Sequence, residues 1–160
     1  MAVTSSTIRS AWNTAVWSHA TIQAMTTSIY NYDITQQSSK ETDKFFFSQE
    51  INFFTYITTR RQVPTGGGLG ANKQRMYEHD VLVRYYRQYD TTGSNFNAVI
   101  DNLESLENIV RTQLGTKWSD NVTFYRLMES GNQPELVELI NQPVWLGTQL
   151  YRGIIQNAAA

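Results

Sequence analysis

Gly66, Gly67, Gly68 and Gly70, with Lys73 three residues on, are the part of this 160-residue chain that comes nearest to a phosphate cradle. A P-loop needs two glycines flanking four residues, then Lys and Ser or Thr at the start of a helix, so that backbone N–H groups meet the phosphates. Here Gly70 is followed by Ala71 and Asn72, and the pattern beyond is that of a strand. A dinucleotide fingerprint fails as well, because position 71 is not glycine. The cluster reads as a flexible turn. His79 stands between Glu78 and Asp80, but alternation along a strand sends it to the face opposite both carboxylates. The three cannot converge on a metal, and His79 is expected to be exposed or satisfied by a neighbour. His19, the other histidine, is expected to meet the carbonyls that end the first helix. Cysteine is absent, which removes thiol catalysis, thiolate zinc and iron–sulfur sites. No Ser/His/Asp set and no pair of carboxylates stands out. The expectation is a protein with no catalytic, metal or cofactor site, and not an enzyme.

Composition points elsewhere. Thirteen basic residues face 14 acidic ones, a formal net charge of −1, too even for a dominant electrostatic grip on nucleic acid. Charged residues make up 17%, against roughly 25% in ordinary soluble domains. The chain has nine Tyr and four Trp, and its nine Arg outnumber four Lys. That bias is the one found at protein–protein contacts. An ordinary β-rich domain also favours Tyr, Phe and Thr, so composition leaves both readings open. No apolar run reaches the roughly 18 residues of a membrane span. The N-terminus lacks the basic and apolar regions of a signal peptide.

The elements follow from periodicity. Ile8, Ala11, Trp12, Ala15 and Val16 lie on one helical face behind the N-cap candidates Thr4, Ser5 and Ser6. Beyond Ala20 the signal blurs, and residues 33–43 read as a surface loop. A strand is predicted over 44–62, with Phe54 and Tyr56 on one side and Ile51, Phe53 and Ile57 on the other. Both faces are apolar, as when one covers the core and the other meets a partner or second layer. A strand over 76–89 completes a long β-hairpin whose tip, about 63–75, is expected to be mobile. Phe96, Val99, Ile100, Leu103, Leu106, Val110 and Leu114 then form the best helical stripe, capped by Ser94 or Asn95 and ended by Gly115. Leu103 and Leu106 are expected to be buried against the sheet. The rest is β-like: 122–129, a turn at Gly131–Pro134, 135–140, and a last strand over 145–155. The sum is one α+β domain over residues 1–160, with an antiparallel sheet or sandwich, a long hairpin, an N-terminal helix and one central amphipathic helix on the sheet.

Interface candidates are chosen by type and place. Trp12 and Trp17 on the first helix and Phe54 and Tyr56 on the hairpin are assigned to face a neighbour, and an isolated subunit is expected to leave Phe54, Tyr56 and Trp17 in water. Arg60, Arg61, Lys73 and Arg75 cluster about the hairpin tip. They suit contact with phosphate or acidic partners, or simply keep the hairpin solvated. Trp118, Trp145 and Tyr151 read as core anchors.

The order of helix, loose-tipped hairpin, amphipathic helix and closing strands resembles the tail-terminator (tail-completion) proteins of long-tailed bacteriophages. Ser6 to Trp17, Phe53 to Gln62 with Met76 to Tyr89, Asn95 to Leu114, and Val122 with Trp145 to Ile155 carry it. The last stretch, from Val144 to Ile155, looks like the family's C-terminal strand. The resemblance implies a virion protein made in the host cytoplasm, forming a ring, most simply a hexamer. Such a ring caps the tail tube, docks to the head-side connector or head-closure protein, and leaves a channel in which DNA makes transient non-specific contact. Another neck, head-closure or minor tail subunit, or a non-viral soluble binding domain, is the alternative.

Overall fold

The computed structural model describes residues 4–32, 52–63, 75–90, 95–114, 122–139 and 142–157. Thr4 starts the first helix, α1 (Ser5–Trp12), by accepting from the Thr7 N–H at 3.3 Å, while Thr7 Oγ1 accepts in return from the Thr4 N–H. This reciprocal cap satisfies donors that a helix start leaves open. The helix then widens into a π-helical turn over Asn13–Trp17, closed by Ser18 N–H to Asn13 C=O at 2.9 Å. Thr14 and Ser18 hydroxyls bond back to the carbonyls of Ser10 and Thr14. Such bonds loosen a helical ladder. The extra residue in the turn lets Val16 and Trp17 both bury beneath Trp12, whose ring lies 5.9 Å from that of Trp17.

A short helix, α2 (Ala20–Met25), follows, and its cap is His19, whose Nδ1 accepts from the Thr21 N–H at 3.2 Å. The expectation that His19 meets the carbonyls ending the first helix is corrected: its side chain opens the second helix. The chain then runs into β1 (Ser28–Tyr30), which pairs in parallel with Phe53–Thr55 of β2 (Asn52–Val63). β3 (Arg75–Gln88) pairs antiparallel with β2 from Asn52↔Arg87 to Val63↔Met76. The central amphipathic helix, α3, spans Phe96–Leu114. β4 (Val122–Leu139) and β5 (Gln142–Asn157) close the sheet, in the order β1-β2-β3-β5-β4.

The fold is α+β, with helices on a five-stranded sheet. Two expectations are corrected. The sheet is mixed instead of antiparallel, because β1 adds a parallel edge from the stretch whose pattern blurred. The turn expected at Gly131–Pro134 is an irregularity within one long strand, where the β4–β5 register slips between Gly131 and Glu135. A bulge absorbs the extra residues that a glycine and a proline suggest as a turn. The loops expected at 33–43 and at the hairpin tip fall on residues 33–51 and 64–74, outside those described, as does Trp118.

The core lies on the helix-covered face. There Phe54, Tyr56, Val81, Val83, Tyr85 and Tyr151 meet Ile8, Trp12, Val16 and Trp17 from the N-terminal segment and Val99, Leu103, Leu106, Val110 and Leu114 from α3. Leu103 and Leu106 are fully buried, as expected from the stripe. Gly147 makes the close approach of α3 possible: a Cβ there would sit 2.3 Å from Leu103 Cδ1. The N-terminal end of α3 is tied down by Asn95. Its Nδ2 donates to the Gln88 carbonyl at 2.6 Å, and its Oδ1 accepts from Trp145 Nε1 at 2.9 Å. On the other face Phe53, Tyr86 and Val144 form a second, smaller cluster.

Candidate functional site

On the face of the sheet opposite Phe54 and Tyr56, β2, β3 and β5 carry charge. Arg61 pairs with Glu78 directly across the strands, with N–O distances of 2.6 and 2.5 Å. On the same face Arg152 of β5 grips Asp80 through two bonds, at 2.7 and 3.1 Å. That bidentate contact holds the Asp80 carboxyl below its ordinary pKa, chiefly through the Arg152 hydrogen bond. On the opposite face Arg60 stacks over Tyr77, 4.6 Å from the ring centre. The carboxylates of this region are thus neutralised by arginine across strands, and nothing in the arrangement resembles a general acid and base.

The eight interface candidates separate cleanly. Trp12, Trp17, Phe54 and Tyr56 are core residues, none more than 3% exposed. The expectation that an isolated subunit leaves Phe54, Tyr56 and Trp17 in water is overturned. Alternation puts Phe54 and Tyr56 on the face that α1 and the π turn cover, where Trp17 lies 5.5 Å from Phe54 and 4.9 Å from Tyr56, ring to ring. The apolar second face of β2 is occupied inside the subunit as well, where Phe53 stacks on Tyr86 at 4.9 Å. Arg60 and Arg61 are exposed. Lys73 is outside the described residues, and Arg75 opens β3 with its side chain undescribed.

His79 is corrected too. It is neither exposed nor satisfied: no surface is accessible, and neither ring nitrogen has a hydrogen-bond partner among the described residues. Burial, reinforced by the Arg60 charge, lowers its pKa to about 4, with Asp80 opposing the shift. The opposite-face argument did hold for the carboxylates, since Glu78 and Asp80 both engage arginines across the sheet. Among the described residues no group of His, Asp and Glu could hold a metal ion, and no helix is long and apolar enough to cross a membrane.

A second feature escaped the sequence. Asn13 and Trp17 of the π turn, Ser18, Gln23 of α2, Ile29 to Tyr32, and Tyr56 of β2 surround an open cleft of about 380 Å³. Its walls carry four aromatic rings and three side-chain amides but no charged group. Tyr56 donates its hydroxyl to Asn13 Oδ1 at 2.5 Å, and Gln23 donates its amide to the Trp17 carbonyl. Burial raises the pKa values of Tyr30 and Tyr56, so both phenols stay neutral. The residues come from separate segments without a local motif. Only the π turn, which no periodicity announces, brings Asn13 and Trp17 to the same wall. No protein-family model matches this chain, and no curated protein matches it.

Proposed function

We propose that this chain is a structural subunit of a long-tailed phage particle, forming a ring that caps the tail tube and joins it to the head-side connector around a DNA channel. The observation that carries the reading is an open sheet edge. β1 pairs with β2 only as far as Thr55, so among the described residues no strand lies along β2 from Tyr56 to Val63. That edge contains no lysine, the residue that most often blocks pairing between subunits, and it carries exposed Arg60 and Arg61. The opposite edge, β4, has three register irregularities and Pro134, features that discourage pairing. One receptive edge and one blunted edge favour a heterologous contact, which closes into a ring when the rotation allows. The surplus of Arg and Tyr over Lys supports the same reading.

The burial of Phe54 makes it useless as an interface probe, since Phe54→Asp would place a carboxylate in the core. Arg60→Glu serves better. Cryo-electron microscopy of assembled particles should show the ring at the tube end with the native chain and none with Arg60→Glu, while circular dichroism shows the variant folded. Rings that persist in the variant would remove this end of β2 from the contact. A native chain that stays monomeric with tube and connector present would overturn the ring altogether. The second reading is a monomeric binding domain, and the aromatic cleft is the observation that favours it.

A further inference from the structure

Two stretches of sheet edge carry opposite charge. β2 holds Arg60 and Arg61 between Tyr56 and Val63, with no acidic residue there. β4 ends in Glu135–Leu139, with Glu135 and Glu138 and no basic residue. All four charged side chains are exposed, and so is Leu136, at 54%. We infer that the β2 edge of one copy receives Glu135–Leu139 of the next as an added antiparallel strand, which names the second surface of the proposed ring and rests on that reading.

The backbone of both stretches is set to pair. The register slips of β4 all precede Glu135, as does Pro134, and from Glu135↔Leu146 to Leu139↔Gln142 the ladder is unbroken. On β2, the Asn52 carbonyl accepts from the Thr27 N–H on the β1 side, at 2.8 Å. The regular β2–β3 register then aims the N–H and C=O groups of Thr58, Arg60 and Gln62 the same way, out of the sheet edge. On β4, Glu138 lies opposite Pro143, whose carbonyl turns instead to the Tyr89 N–H on the β3 side, at 3.1 Å. Glu138, and Leu136 with it by alternation, therefore aim theirs outward too.

The side chains fall in step. Arg60 stands on the helix-covered face, and so do Leu136 and Glu138, which share the side of Trp145. Arg61 and Glu135 stand on the other face, Glu135 opposite Leu146. With the helix-covered faces aligned, outward-facing residues meet with Arg60 opposite either Leu136 or Glu138. Either register sets Arg60 beside Glu138 and Arg61 beside Glu135, directly or one diagonal step away, and covers Leu136. Neither glutamate has an ion pair among the described residues, and Arg61 keeps 57% of its side chain exposed while bonded to Glu78. Joining like edges would oppose Arg to Arg or Glu to Glu, so the charges select the head-to-tail contact that a ring needs.

Cryo-electron microscopy of assembled particles tests the contact with Arg60→Glu, Glu138→Arg and the two combined, each shown by circular dichroism to be folded. Each single reversal sets like charges together and should lower the share of particles bearing a ring about tenfold or more. The combined variant restores opposite charges and should recover that share. Rings that persist in Glu138→Arg overturn the β4 contact and leave the ring itself standing. A folded combined variant without rings overturns the contact as well. Absence of rings with the native chain overturns the ring reading, and this contact with it. Should Arg60→Glu fail to fold, Leu136→Asp decides: at its exposed position it should fold and remove the ring, and rings that persist overturn the contact.

Discussion

Gln149 and His79 lie on the same face of neighbouring strands, both without accessible surface, and the molecule treats them in opposite ways. Gln149 is built into a chain of bonds. Its Nε2 donates to the Leu103 carbonyl of α3 at 2.9 Å, and its Oε1 accepts the Tyr151 hydroxyl. His79, two register steps beyond Tyr151's pairing with Val81, has neither nitrogen engaged by a described residue. The difference follows from what each faces. Gln149 stands under the middle of α3, where a polar side chain can reach helix backbone. His79 has Gly153 on one side and Arg60 on the other, and neither side chain offers an acceptor. Buried polarity adds rigidity in the first place and acid sensitivity in the second.

Four measurements sharpen or break this contrast. The largest effect belongs to Leu103, whose side chain fills the space above Gly147 next to the Gln149 bond. Leu103→Ala should cost roughly 2–5 kcal/mol in denaturant unfolding. A variant as stable as the native chain would mean that α3 is not seated as described.

Next comes pH. The pKa of His79 is about 4 in the fold against 6.5 as its ordinary value, so the unfolded chain takes up the proton first. Stability is therefore complete above pH 6.5 and declines as pH falls toward 4, by about 3 kcal/mol at most. His79→Leu should flatten that part of the profile while changing stability at pH 7 by under about 1 kcal/mol, since it removes a polar group that has no partner. An unchanged slope in His79→Leu would show that the histidine is hydrated or paired.

Gln149→Leu keeps the size of the side chain and removes its bonds to the Leu103 carbonyl and the Tyr151 hydroxyl. Leaving the Tyr151 hydroxyl and the Leu103 carbonyl without it should cost about 2 kcal/mol near neutral pH, with no new pH dependence between 4 and 7. If it stabilises the protein, the polar chain is dispensable. The smallest effect is at the surface. Arg61→Ala breaks the exposed pair with Glu78 and should change stability by less than about 1 kcal/mol, and less still at high salt.

What the residues disclosed in advance depended on how local their constraints are. The stripe from Phe96 to Leu114 announced α3, because every contact it needs lies on one helical face. The strands β2, β3 and β5 were legible from alternation and turn residues. β1 was not, because its three residues become a strand only by pairing with Phe53–Thr55 far along the chain. Phe54 and Tyr56 show the limit of a two-sided apolar strand. Alternation identified the two faces, but it could not say that the N-terminal helix of the same subunit would cover one of them. The cleft was hidden for a similar reason, since its walls are gathered by tertiary packing. The isolation of His79 could not be read from Glu78 and Asp80, which face away; it depends on Gly153 and Arg60 across two strand pairings.

The π turn lets the N-terminal segment absorb a change in chain length that an ordinary helix would pass on. It holds one residue more than an α-helical turn would, whereas an α-helix that loses a residue turns everything beyond it by about 100°. Deleting Ala15 lets the ladder close as regular α-helix, so that Trp17 keeps its place beside Phe54 and Tyr56 and His19 still starts α2. A single-residue deletion within Asn13–Trp17 should therefore be tolerated better than one within Ser5–Trp12.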